Sequence, residues 1–154
     1  MADPVRKPNT IGYDQDFAAW SEEQSQLLKT RRAVDLDWEN LAEEIETLGR
    51  SERAEIRSRL VVLLLHLLKW QFQPTKRKPG WQASILEARD QLGEQLTSSP
   101  SLRSYPSKVL PKQYEIARLK AADETGLALK AFPESCPYTI QQLLDGTFYP
   151  GDVE

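Results

Sequence analysis

Residues 50–73, RSERAEIRSRLVVLLLHLLKWQFQ, decide the fold. Leu60-Val61-Val62-Leu63-Leu64-Leu65 alone could be a buried strand, because a short apolar run does not separate strand from helix. No proline or glycine interrupts the 24 residues, and ordinary strands run to about 5–6 residues. The segment therefore reads as helix. Between Leu60 and Leu68 only His66 is polar, so this helix is apolar on every side and is expected at the centre, surrounded by others.

Upstream, Asp35 to Asp37 is a start signal for the stripe Trp38, Leu41, Ile45, Leu48. In one continuous helix the stripe would run on through Glu52, Ile56, Leu60, Leu63, Leu67 and Trp70, and its average step near 3.6 permits that. Length argues the other way. A helix over 36–73 would be about 57 Å long, against a radius of gyration of about 15 Å for a compact domain of this size. A break is expected at Gly49, with Ser51 capping the helix beyond it. Further upstream, Phe17, Trp20, Gln24, Leu27 and Leu28 give a helix over about 16–32 one core face, with Asp14 or Asp16 as N-cap.

Downstream, Trp81, Ile85, Ala88, Leu92 and Leu96 mark the core face of the next helix. Ser99-Pro100 opens a further segment that Pro106 and Pro111 interrupt, with regular helix resuming near Pro111, carrying Tyr114, Ala117 and Ala121 inward, and ending at Gly126. Thr139-Ile140-Gln141-Gln142 is a capping box for a short last helix ending at Gly146. The expected fold is all-α: an irregular bundle of about five helices around a central apolar helix. One domain is expected over 13–150, between a flexible tail at 1–12 and another at 151–154.

A chain of 154 residues buries roughly 70% of its unfolded surface in one domain and needs no staple. Cys136 is the single cysteine, which excludes a disulfide framework within the chain and suits a reducing compartment. The first eight residues have no apolar core for a signal peptide, and Leu60 to Leu68 is nine residues, far short of the ~20 that span a membrane. The expected location is the cytoplasm, with no membrane association. Net charge is −3 and the pI near 5.3, so the whole-molecule field repels polyanions and nucleic acid is an unlikely partner.

Several segments in combination resemble a known family. They are Leu41–Gly49 (LAEEIETLG), Ser51-Glu52, His66-Leu67-Leu68-Lys69-Trp70, Trp81 with Ile85 and Arg89, Ser99-Pro100-Ser101-Leu102, and Phe132-Pro133 with Cys136-Pro137-Tyr138-Thr139. Together they resemble the bacterial family catalogued as domain of unknown function 29, over about 13–150. The resemblance implies a helical bundle found in bacteria, frequently cyanobacteria, and carries over no activity. Pro106 and Pro111 depart from it, since such proteins more often look continuously helical there.

Function rests on site chemistry. Glu43 with Glu46, Glu52 with Glu55 and Glu87 with Asp90 have the i, i+3 spacing that puts two carboxylates on one helix face. Magnesium with substrate phosphates needs such groups to converge inside the fold. Glu43 and Glu87 instead lie about 160° from Ile45 and Ile85 on their helices, so two pairs face water. A di-iron bundle requires two Glu-x-x-His motifs, and this chain has one histidine, with Leu63 three residues before it. No metal and no cofactor is expected.

His66 could be a general base in a pocket shared with Glu52, Glu55 or Arg89. The plainer reading, which is favoured, is a core histidine bonded to a backbone carbonyl or to a carboxylate of a neighbouring helix. Glu52 falls in the apolar stripe and needs a partner, which Arg89 could supply; such a pair more often fixes packing than performs a reaction. Cys136 reads as a buried structural thiol. Lys76, Arg77 and Lys78, near Trp70 and Trp81, could bind anions and stack bases, but three charges between helices read more simply as a solvated connection. The function expected is a small non-enzymatic interaction or regulatory module with a protein partner. Its alternatives are an enzyme built around His66, Glu52 and Arg89, and weak anion or nucleic-acid binding through 76–78.

Overall fold

Asp16 starts the first helix: its carboxylate accepts the Ala19 amide at 3.0 Å, and α1 runs Phe17–Lys29. The computed structural model describes residues 12–151, so the expected tails, apart from Gly12 and Gly151, lie outside the described residues. Asp37 starts the second helix in the same way, accepting the Asn40 amide at 3.4 Å and its side-chain amide at 2.8 Å. From there α2 runs Trp38–Phe72 without interruption. The expected break at Gly49 is therefore corrected. One glycine inside a helix costs only about 1 kcal/mol, and Arg50 reaches back across the site to Thr47 at 2.9 Å and Glu46 at 3.7 Å. The chain forms two compact units, 1–50 and 51–154, and the division between them falls inside α2.

In the first unit, α1 and the start of α2 bury Trp20, Leu27 and Leu36. Tyr13, Phe17 and Trp20 form an aromatic cluster with ring centroids 4.8–5.7 Å apart. Phe17, Leu28, Trp38, Ile45 and Leu48, read from the sequence as core-facing, are between 51% and 69% exposed. Their spacing is helical, but among the described residues of this unit no further element covers these apolar faces.

In the second unit, Ile56, Leu60, Leu63, Leu64, Leu67 and Leu68 of α2 are fully buried. Helix α3 (Pro79–Ser98) brings Trp81, Ile85, Ala88, Leu92 and Leu96 inward as its spacing predicts. Helix α4 spans Tyr105–Thr125 and is not interrupted at Pro106 or Pro111, which corrects the later start expected for it. Pro106 falls in the first turn, where no helical hydrogen bond is lost; Pro111 forgoes one bond, to a carbonyl also in that turn. Gly126 closes α4 in the left-handed conformation, φ 72°, with its amide on Ala122 O. The Thr139–Gln142 capping box starts α5 (Ile140–Leu144), which ends just before the expected Gly146. No strand occurs among the described residues.

Two glycines should respond oppositely. Gly93 is exposed inside α3 with open space where a side chain would grow, so Gly93→Ala should raise stability by about 0.5–1 kcal/mol. Gly126→Ala should lower it by about 1–2 kcal/mol, since its φ disfavours any Cβ. Urea melts of the two variants check both signs.

Candidate functional site

Four of the exposed apolar side chains of the first unit, Phe17, Leu28, Ile45 and Leu48, share one feature. Phe17, Trp20 and Leu28 of α1 and Leu41, Ile45 and Leu48 of α2 line a groove of about 450 Å³, with Ser21, Gln24 and Ser25 between them. Its charged lining residues are Lys29 on α1 and Glu44 on α2. Gln24 is 1% exposed; its Oε1 accepts the Asp37 amide at 2.8 Å, while its buried Nε2 has no hydrogen-bond partner. Trp20 Nε1 donates to Asp37 Oδ2 at 3.0 Å, so Asp37 holds α1 to the start of α2. At the groove's edge the Tyr13 hydroxyl donates to Glu44, and this bond is the main cause that raises the phenol to about 12.

In the second unit each residue singled out from the sequence has its own partners. His66 is half-buried, and its Nδ1 lies 2.7 Å from Val62 O, one turn back on its own helix. Glu52 accepts the Ser99 hydroxyl at 2.5 Å, so serine supplies the partner that Arg89 was expected to give. Arg89 is 5% exposed and is spent on the end of α5: Nε donates to Leu143 O at 2.8 Å and Nη2 to Gln142 O at 3.3 Å. Leu143 O is one of the carbonyls that a helix C-terminus leaves without a backbone donor, whereas Gln142 O also accepts the Asp145 amide at 3.3 Å; Arg89 Nη1 is buried with no hydrogen-bond partner. Burial is the main cause that lowers the Arg89 pKa; the Tyr149 ring 5.6 Å from its guanidinium and Asp145 oppose that shift. Asp145 is itself held below the ordinary carboxylate range by the amide and hydroxyl of Thr147. His66, Glu52 and Arg89 thus bond to three different places.

The basic connection is more tied down than a solvated loop. Arg77 Nε donates to Trp70 O at 2.8 Å and its guanidinium stacks 4.8 Å from the Trp70 ring. Lys69 and Lys78 lie 5.1 and 5.7 Å from the Trp81 ring, while Lys76 is simply exposed. The chain's own cations occupy the indoles that a nucleobase would need. Glu43, Glu46, Glu87 and Asp90 are exposed. Cys136 is half-buried, its Sγ 3.4 Å from Tyr138 O, and burial raises the thiol pKa, which keeps it a thiol rather than a nucleophilic thiolate.

Sequence reasoning missed the groove because it assigned every stripe residue to the core. The available signal was the length of the stripe, ten positions from Trp38 to Trp70, more than the rest of the chain covers.

The family model described as "Domain of unknown function DUF29" matches residues 12–149. No curated protein and no solved structure matches the chain.

Two contrasts arise from the polar contacts. Arg89→Met should cost about 1.5–3 kcal/mol, because the buried Leu143 carbonyl loses its charged donor. His66→Leu should stay within about 1 kcal/mol of the parent, because Val62 O keeps its helical bond from the residue 66 amide. Denaturant midpoints at unchanged slope measure both.

Tyr114 gives a pH test. Its hydroxyl donates to Pro133 O, and burial pushes its pKa from 10.0 to about 12. The neutral phenol is favoured in the fold, so its contribution is complete below the unfolded value and is lost as pH rises through the folded one. Tyr114→Phe should cost about 1 kcal/mol at neutral pH. In melts near pH ~11 the gap to the parent should close, because ionisation then favours the unfolded parent alone.

Proposed function

The chain belongs to the DUF29 family, and we propose that it is a non-enzymatic interaction module of the bacterial cytoplasm that binds a protein through the groove of its first unit. One observation carries this reading. Among the described residues of that unit, six large apolar side chains are exposed (Phe17, Leu28, Val34, Trp38, Ile45 and Leu48) and three are buried. Scattered apolar residues are ordinary on protein surfaces, but four of the six, Phe17, Leu28, Ile45 and Leu48, line one groove, and such a contiguous set marks a binding site.

The spacing indicates the kind of partner. Leu41, Ile45 and Leu48 present anchors at steps of four and three along one helix, with Phe17 and Leu28 along the opposite wall. That geometry accepts the apolar face of an amphipathic helix. Complete burial of a Leu, Ile or Phe side chain contributes about 1.5–3 kcal/mol, so a few anchors suffice for a specific complex. The lone half-buried thiol supports a reducing compartment. No described helix is long and apolar enough to cross a membrane.

The test is photo-crosslinking in the native cell. A benzophenone side chain in place of Ile45 should yield a discrete protein adduct that Leu48→Asp abolishes, and the same group in place of Glu87 should yield none. Absence of an adduct from position 45, or an adduct indifferent to Leu48→Asp, would falsify the reading.

A further inference from the structure

We draw no further inference here: the strongest candidate, the apolar groove between α1 and α2 of the first unit, belongs to the site already described, and nothing in the structure shows what covers it.

Discussion

The fully buried column of α2, from Ile56 to Leu68, dictates the arrangement of the second unit, because a helix that is apolar around its circumference must be enclosed on every side. Ile85 and Leu92 of α3, Tyr114, Ala117 and Ala121 of α4, Phe132, Tyr138 and Leu143 all join the cluster that encloses it. Between Leu60 and Leu68 the side chains left half-exposed, Val62 and His66, are four residues apart and share one helix face. The histidine thus sits where enclosure is incomplete, and its own helix supplies the acceptor it needs.

Once the column is enclosed, the last third of the chain has little regular structure of its own and is held by polar side chains reaching from the helices to backbone carbonyls. Arg89 reaches Leu143 and Gln142, Arg118 grips Phe132 O through two nitrogens at 3.2 and 3.0 Å, and Tyr114 reaches Pro133. Tyr138 makes the reverse tie, donating to Gln71 Oε1 at 2.7 Å. Each tie satisfies a group that would otherwise be buried and unpaired. The fork of Arg89 thereby meets two backbone carbonyls at the end of a short helix, while its Nη1 stays buried without a hydrogen-bond partner.

The sequence was most informative where one rule acted alone. The helical reading of 50–73, the inward faces of α3 and α4, the left-handed stop at Gly126 and the capping box at Thr139 each come from spacing or from one residue's backbone preference. It was least informative where two rules competed. At Gly49 phase favoured continuity and compactness favoured a break, and phase prevailed because the helix is not confined to one compact unit. At Pro106 a breaker residue was overridden because the first-turn amides have no helical bond to lose, whereas Pro111 sits inside α4 at the loss of one bond. The groove was illegible for a different reason: periodicity identifies an apolar face but not what covers it, so Ile45 and Leu60 look alike in the sequence although one is 68% exposed and the other fully buried.

The polar ties of the C-terminal third also order events in time. They join residues far apart along the chain, 54 positions for Arg89 with Leu143 and 67 for Tyr138 with Gln71, whereas the turns of α2, α3 and α4 close over four residues each. Forming a distant tie first would require ordering a long loop before any contact compensates the lost entropy. Topology alone therefore orders the local helices first and the fastening of the C-terminal segment afterwards as the expected sequence of events. In reverse, release of that segment would also strip Phe132, Tyr138 and Leu143 from the cluster around the column, so its opening is expected to expose core as well as its own amides.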